Sequence, residues 1–203
     1  MRLTLLGATG GIGQLLLPLA LDQGHEVTVF ARAPQKIKRT GSRLRVVGGD
    51  LYDPDQMATV IRGSDAVLSA FGPTTLRRTH LRRDFGRVLV QAMRSAGVNR
   101  FIHVSSAFVF GEGGMIYSVM TNTLFRNVTI DHRDGDNEMS QPDLDWTILR
   151  PPRLLDGPAS GKLRIVSNHL PKGMTITRAD VAGFMLQEAV HPNHIHQYVG
   201  LSN

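Results

Sequence analysis

The sequence predicts an α/β fold, a doubly wound Rossmann-type parallel sheet with helices on both faces, in a single domain spanning residues 1–203. Three observations predict this fold. Short apolar runs alternate with longer runs of helical periodicity, which is typical of βαβ units. The opening stretch "LTLLGATGGIGQLLL" passes from strand to glycines to helix. No repeat or linker-like segment divides the 203 residues, and this length suits one well-buried domain.

The predicted elements follow one another in regular order. The strands are Leu3–Leu6, "HEVTVFAR" ending near Ala31, "RLRVVGGD", "DAVLSAFG", "RFIHVSSA", "LDWTILRPP", the extra strand "GKLRIV" and the final edge strand "HQYVGL". The helices are Gln14–Gln23, one begun at Pro54 with Asp53 as N-cap and ended by Gly63, Thr79–Ala96 stopped by Gly97, and "TRADVAGFMLQEA" capped by Thr177. In such a sheet the ligand lies across the carboxyl ends of the strands, where the first and fourth strands meet.

The composition narrows the function. The chain has no cysteine, which excludes disulfides, thiolate nucleophiles and cysteine-based zinc sites. No apolar run is long enough for a membrane helix, and the short strand after Arg2 is unlike a secretory signal, so we expect a cytoplasmic protein without a membrane partner. The net charge is +6, but the basic residues are scattered without aromatic interleaving. This favours a small anionic ligand over nucleic acid. We expect a monomer or a small homo-oligomer.

The glycine-rich loop after the first strand is the strongest motif. Gly7 permits the tight turn, Gly10 lets the backbone approach a diphosphate, and Gly13 allows the helix to pack on the sheet. The helix N-terminus adds partial positive charge. The alternative, a plain strand–helix turn, fits less well with a glycine triplet that follows a strand and opens a helix. The predicted cofactor-binding residues of this loop are Gly7, Thr9, Gly10, Gly11, Ile12 and Gly13.

The end of the second strand predicts NADP(H) in preference to NAD(H). NAD-binding chains of this fold place a carboxylate here for the ribose 2′-hydroxyl, whereas this chain has Arg32. A guanidinium can bind a 2′-phosphate through two hydrogen bonds. Lys36 or Arg39 would add charge, and Thr9 would reach the same phosphate. The alternative is that Arg32 is a solvated surface residue.

Two further segments are predicted to contact the cofactor from their places in the fold. Asp50 and Leu51 follow the third strand and would line the adenine pocket. Ala70, Phe71 and Gly72 follow the fourth strand and would pass beneath the diphosphate and the nicotinamide ribose.

These residues resemble the atypical short-chain dehydrogenase/reductase superfamily, and within it the biliverdin reductase B/flavin reductase and NmrA-like groups. The resemblance extends from residue 3 to about 186, through "GATGGIG", "EVTVFAR", "VVGGDLYD", "DAVLSAFG", "VSSAF", "DWTILRPP" and "RADVAGFML". It implies NAD(P) binding. We expect the substrate pocket to be built from segments about 106–140 and 150–175.

The catalytic residues that the resemblance implies match this chain only in part. Many members of the superfamily use a Tyr-x-x-x-Lys dyad, but Tyr117, the catalytic candidate nearest that place, is followed four residues later by Thr121. The serine beside the nicotinamide in the biliverdin/flavin reductase group corresponds to Ser106, with the cofactor-contacting Ser105 next to it. The Asp-His pair of that group corresponds to Asp131 and His132.

The pocket rim differs from that group. Its Pro-Pro-His corresponds here to Pro151, Pro152 and Arg153, so a fixed cation replaces a histidine. Pro151 is predicted to contact the cofactor, while Phe108 and Arg153 are predicted to contact the substrate. Arg153 would suit a phosphate or carboxylate on that substrate, so the expected partner is a small molecule, either anionic or neutral.

The chemistry expected is hydride transfer from NADPH to a flavin, a quinone or a related conjugated acceptor. His132 is the candidate proton donor because an unperturbed imidazole titrates near neutrality, although it could equally be a surface histidine. Ser106 would hydrogen-bond the cofactor or substrate, or else only the backbone at the strand end. The histidines of "HPNHIH" lack a nearby carboxylate, so no metal is expected. The other functions are an NmrA-like NADP(H) sensor without turnover, and a non-redox isomerase or dehydratase that holds its cofactor tightly.

Overall fold

A twisted sheet occupies the centre of the computed structural model, which describes residues 1–72, 79–112, 119, 123 and 125–203. The strands are β1 Arg2–Leu6, β2 Glu26–Ala31, β3 Leu44–Gly48, β4 Ala66–Ser69, β5 Arg100–Val104, β6 Asp145–Arg150, β7 Arg153–Leu155, β8 Arg164–Ser167, β9 Thr175–Thr177 and β10 Gln197–Ser202. The helices are α1 Gly13–Asp22, α2 Pro54–Ile61, α3 Leu81–Ala96, α4 Arg126–Met139 and α5 Arg178–Val190, with 3₁₀ turns at Pro34–Lys36 and Ala107–Phe110.

The strand order confirms the predicted doubly wound fold. In the described residues the main sheet runs β3-β2-β1-β4-β5-β6-β10-β8, and all its pairs are parallel except β10 with β8. The chain leaves β1 for β2 on one side and returns to β4 on the other. The first and fourth strands are therefore neighbours at the switch point, where this fold binds its ligands. A small parallel pair, β7 with β9, lies apart from the main sheet.

Helices cover both faces of the sheet, as predicted. On one face, α1 and α5 share an apolar cluster with the sheet that includes Leu16, Val181 and Met185. On the other face, α2, α3 and α4 share a second cluster that includes Met57 and Phe85. Burial on both faces explains why the central strands have nearly continuous apolar runs.

Several predicted helix ends are confirmed. The Asp53 carboxylate accepts hydrogen bonds from the N–H groups of Asp55 and Gln56 at the start of α2. Thr177 caps α5 by accepting from the Asp180 N–H. Gly97 ends α3 in the left-handed conformation, with φ of 68°, which glycine adopts without steric cost.

Strand β10 is not the edge strand that the sequence predicts. It lies between β6 and β8, and β8 forms the edge. Val199 and Leu201 in β10 are fully buried, and Val199 is in register with Leu149 of β6. The short antiparallel strand β8 covers the outer side of β10, so the apolar residues of β10 are sheltered.

Helix α4 is absent from the sequence-predicted elements, because its sequence "RNVTIDHRDGDNEM" is rich in charge. Three of its polar residues, Asp131, His132 and Asp136, are nevertheless buried. Among the described residues, no helix is long and apolar enough to cross a membrane.

Candidate functional site

The glycine loop is held in place by close contacts with its surroundings. Gly7 has a φ of 84°, and a Cβ there would lie 2.7 Å from the carbonyl carbon of Ala70 at the end of β4. A Cβ on Gly13 would overlap the carbonyl oxygen of Gly7. These two positions therefore require glycine for the turn and for the packing of α1 on β1. Gly10 differs, since a Cβ there would meet only the Gly7 oxygen, at 3.4 Å.

The start of α1 presents donors that suit an anion. The N–H groups of Gly11, Ile12 and Gly13 donate no hydrogen bond within the described part of the chain, and no side chain caps this helix. Gly10 and Gly11 are exposed, so their backbone can be approached closely. Unpaired amides and the helix dipole together favour phosphate. The loop therefore fits the diphosphate of a dinucleotide.

A cavity of about 260 Å³ lies on the β2 side of this loop. Its lining consists of Gly7, Thr9, Ala31, Arg32, Ala33, Lys36, Leu51 and Phe71. The two cations, Arg32 and Lys36, are exposed and stand together with the Thr9 side chain, as the sequence predicts for a 2′-phosphate site. Arg39 is engaged elsewhere, because its Nη2 pairs with Asp22 at 2.6 Å.

Asp50 does not line this cavity, although the sequence places it there. Its carboxylate instead accepts a hydrogen bond from the Tyr52 N–H at 3.0 Å, and this bond shapes the turn before α2. An Asp side chain commonly bonds the backbone two residues ahead, and here that local bond holds it away from the cavity. Leu51, the next residue, is buried and does line the cavity.

A larger cavity of about 500 Å³ adjoins the first at Phe71, which lines both. The predicted site residues that line it are Gly10, Gly11, Ile12, Ala70, Phe71, Gly72, Ser105, Ser106, Phe108, His132 and Pro151. Phe125, Val128 and Leu154 also line it and lie within the segments predicted to build the substrate pocket, as does Pro152 of the Pro-Pro-Arg motif. Arg82 lines the cavity too, and the residues missing from the sequence predictions are Val104 and Arg178. Together the two cavities follow the carboxyl ends of β1, β2, β4, β5 and β6, with the glycine loop between them.

Ser105 and His132 meet in the larger cavity. Ser105 Oγ lies 3.0 Å from Nδ1 of His132. Burial, helped by the positive charge of Arg82, lowers the pKa of His132 well below its ordinary value. The imidazole is therefore neutral at pH 7, which corrects the expectation of a histidine that titrates near neutrality.

Ser106 occupies a different position from its neighbour. Its Oγ accepts a hydrogen bond from the Phe108 N–H at 3.4 Å and caps the 3₁₀ turn Ala107–Phe110. It lines the cavity, but the serine in contact with His132 is Ser105.

Two buried carboxylates of α4 lie behind the cavity. Asp131 accepts a hydrogen bond from Thr79 Oγ1 at 2.8 Å and pairs with Arg82 at 3.4 Å. Asp136 pairs with Arg150 at 2.8 Å, and burial raises the pKa of Asp136 to about 6. Each carboxylate thus faces an arginine from another element, so the adjacent Asp131 and His132 point to different partners.

Arg153, for which the sequence predicts a contact with the substrate, does not line the larger cavity. It is exposed on β7, whereas the next residue, Leu154, lines the cavity. Successive side chains of a strand point to opposite sides, so only one of the two can face the cavity. Arg178, at the start of α5, supplies a cation there instead.

Two aromatic rings form one wall of the larger cavity. Phe108 and Phe125 stack with their centroids 4.8 Å apart and their planes 19° from parallel. Tyr117 lies outside the described residues. The C-terminal histidines do have a carboxylate nearby, which corrects the premise of the sequence analysis, because His194 Nδ1 lies 2.8 Å from Glu188 Oε2. The described residues contain no group of three or more His, Asp or Glu side chains that could hold a metal ion.

Comparisons with known proteins agree with this geometry. A sequence model of a family described as NAD(P)H-binding matches residues 7–192. The uncharacterized protein YwnB of Bacillus subtilis is 29% identical over 209 residues, covering 96% of this chain and 94% of that protein. The structure of ChuY, an anaerobillin reductase from Escherichia coli O157:H7, has a TM-score of 0.80 at 25% identity, covering 100% and 97% of the chains. A short-chain dehydrogenase/reductase from Veillonella parvula in complex with NADP has a TM-score of 0.83 at 19% identity, covering 100% and 94%.

Proposed function

The chain belongs to the NAD(P)H-binding family, in the atypical short-chain dehydrogenase/reductase superfamily, and from this premise we propose that it is an NADPH-dependent reductase of flat conjugated acceptors such as flavins or quinones. The proposal rests mainly on the residues that line the larger cavity. There the stacked Phe108 and Phe125 face the same space as Ser105 and His132, next to the glycine loop. Stacked aromatic side chains provide a surface that suits a planar ring.

The cofactor would lie along both cavities. Gly10, Gly11 and Ile12 would hold its diphosphate through backbone N–H groups, and Arg32 with Lys36 would hold a ribose 2′-phosphate. Arg32 stands where NAD-binding relatives of this fold place an acidic residue, which supports NADPH over NADH. When bound, the nicotinamide supplies the hydride.

The neutral state of His132 supports acceptors that need no strong acid from the protein. Reduction of a carbonyl requires a positioned acid, whereas a flavin or quinone can take its proton from water. His132 would instead keep Ser105 oriented toward the acceptor or the carboxamide of the cofactor. The apolar walls would exclude water from the hydride path.

A sensor function is the second candidate. The sequence lacks the Tyr-x-x-x-Lys dyad, since Thr121 stands four residues after Tyr117, and this favours a protein that binds NADP(H) and signals without turnover. The likeness to an anaerobillin reductase favours the enzyme.

The deciding experiment follows the absorbance of NADPH in the presence of FMN, a quinone or biliverdin, and repeats each assay with NADH. We expect oxidation of NADPH with FMN or the quinone, and slower oxidation of NADH. Tight NADP binding without turnover of any acceptor would support the sensor. Absence of binding to either nucleotide would refute both functions.

A further inference from the structure

Arg178 lies directly against the glycine loop. It is the first residue of α5, and a Cβ built on Gly11 would lie 2.8 Å from both Cδ and Nε of Arg178. A residue larger than glycine at position 11 would therefore have to displace this side chain. The arginine also lines the larger cavity beside Gly10 and Ile12. A cation thus faces the same space as the unpaired N–H groups at the start of α1.

The present partner of Arg178 is easily replaced. Its Nη1 pairs with Asp156 Oδ1 at 2.6 Å, but the Asp156 side chain is 94% exposed. Exposed ion pairs contribute little to stability, and water readily solvates such a carboxylate. Arg82, also in the cavity lining, pairs with Asp131, whose side chain is only 2% exposed. Exchange of partners therefore costs far less at Arg178 than at Arg82.

We infer that Arg178 binds the diphosphate bridge of the dinucleotide together with the N–H groups at the start of α1, and exchanges Asp156 for a phosphate oxygen when it does so. The inference rests on the proposed function, because it requires the cofactor to occupy the glycine loop. A guanidinium can donate two parallel hydrogen bonds to a phosphate. The single contact with Asp156 leaves other N–H groups of Arg178 available for such bonds. Gly11, which the opening motif does not strictly need, then has a role. It makes room for the arginine over the loop.

The test measures nucleotide affinity rather than turnover. Isothermal titration calorimetry gives Kd for NADPH and for adenosine 2′-monophosphate, which has the 2′-phosphate but neither phosphate of the diphosphate bridge. The proteins are wild type, Arg178→Met, Asp156→Asn and Arg153→Met. Arg153→Met is the matched control, because it removes an exposed cation of β7 that does not line the cavity.

We expect a loss of affinity only when Arg178 is replaced, and mainly for NADPH. Arg178→Met should weaken NADPH binding by about tenfold, the equivalent of one charge-assisted hydrogen bond, and should weaken binding of adenosine 2′-monophosphate much less. Asp156→Asn should keep or tighten NADPH binding, because it removes the competing carboxylate. Arg153→Met should bind like wild type.

Three outcomes would overturn the inference. The first is an NADPH Kd for Arg178→Met equal to that of Arg153→Met. The second is equal loss for both ligands, which would place the arginine away from the bridge. The third is an unchanged NADPH Kd with a raised KM for the acceptor, which would assign Arg178 to an anionic group of the substrate.

Separate controls distinguish failure of this inference from misfolding of a variant and from failure of the proposed function. Arg178→Met and Asp156→Asn break the same ion pair, so equal melting temperatures together with different Kd values exclude a general structural effect. Arg178→Lys keeps the charge if the methionine variant folds poorly, and should bind NADPH with intermediate affinity. If wild type binds no nucleotide, the proposed function fails. If wild type binds and Arg178→Met binds equally well, only this inference fails.

Discussion

Ser105 Oγ, just after β5, lies 3.0 Å from Nδ1 of His132 on α4, and this contact joins the sheet to a helix that is 27 residues away in sequence. Both residues are buried and both line the larger cavity. Because burial holds the pKa of His132 well below its ordinary value, we expect the pair to orient the Ser105 hydroxyl group and not to donate a proton at neutral pH. Substitution of Ser105 or His132 should therefore change the rate of acceptor reduction.

Ser105→Ala should lower kcat/KM for the acceptor by about three- to tenfold, the equivalent of one neutral hydrogen bond of about 1 kcal/mol. The matched control is Ser106→Ala, which removes the hydroxyl that caps the 3₁₀ turn and should have a smaller effect. In the double variant Ser105→Ala/His132→Ala, the effects should not add, because the two residues act through one contact. Steady-state kinetics measures five proteins, which are wild type, the single variants Ser105→Ala, His132→Ala and Ser106→Ala, and the double variant. A larger loss for Ser106→Ala would contradict this assignment.

The pH profile of kcat should show no inflection that depends on His132, whereas an inflection near pH 6 from Asp136, whose pKa burial raises to about 6, would persist in His132→Gln. The pKa of His132 lies well below its ordinary value because the ring is buried, so the ring stays neutral on both sides of pH 6.5. Initial rates between pH 5.5 and 8.5 test this. His132→Gln should lower the rate without changing the shape of the profile, and an inflection that this variant abolishes would show that the histidine titrates during turnover.

Arg32→Asp should weaken NADPH binding by about tenfold or more, and NADH binding much less, because only NADPH has the 2′-phosphate. Calorimetric Kd values for the two nucleotides provide the measurement. Arg39→Asp is the control, since Arg39 pairs with Asp22 outside this cavity. Equal loss of both nucleotides in Arg32→Asp would refute the assignment of Arg32 to the 2′-phosphate.

Gly13→Ala should destabilise the protein by about 1–3 kcal/mol, because its Cβ would overlap the Gly7 carbonyl oxygen inside a packed turn. Gly10→Ala should fold normally, since its Cβ has only an ordinary contact, at 3.4 Å. It should still bind NADPH more weakly, because the methyl group would stand where the diphosphate approaches. Denaturant unfolding and calorimetry separate the two effects. Equal stability of the two variants would contradict the packing argument.

His103 should make the folded state more sensitive to acid. It is fully buried against Ser69 Oγ at 3.0 Å, and burial lowers its pKa to about 3. Below pH 6.5 the unfolded chain binds a proton at this residue that the folded chain does not, so the free energy of unfolding falls as pH falls from 6.5 toward 3. The contribution reaches about 1 kcal/mol per pH unit.

The measurement compares urea unfolding of wild type and His103→Gln at pH 7.5 and pH 5. The stability difference between the two proteins should shrink or reverse at the lower pH, since only wild type contains this histidine. His191→Gln, which changes an exposed histidine, should follow the wild-type pH dependence. Parallel pH profiles of the free energy of unfolding for wild type and His103→Gln would contradict the prediction.

The sheet could be predicted from the sequence because its evidence is local. The glycine loop, the caps at Asp53 and Thr177 and the stop at Gly97 each depend on residues within a few positions of one another. The same is true of Arg32, whose place after β2 brings it to the small cavity whatever the rest of the chain does.

The family resemblance points to Ser105, Asp131 and His132, but their contacts could not be predicted, because the partners are distant in sequence. Asp131 and His132 lie in a charged stretch that resembles a solvent-facing helix, yet they are buried by contacts with Arg82 and Ser105, 49 and 27 residues away. The choice between Arg153 and Arg178 depends on which side of β7 faces the cavity and on where α5 begins. Neither can be deduced from the Pro-Pro-Arg motif.

The close contacts of Gly7 and Gly13 have a consequence for the kinetics of ligand capture. With Gly7 against Ala70 and Gly13 against the Gly7 carbonyl, these close contacts leave the loop little room to change its shape. Little backbone entropy is then lost on association, so the phosphate end should dock nearly as a rigid body. Affinity differences among variants of this loop should therefore appear mainly in the dissociation rate.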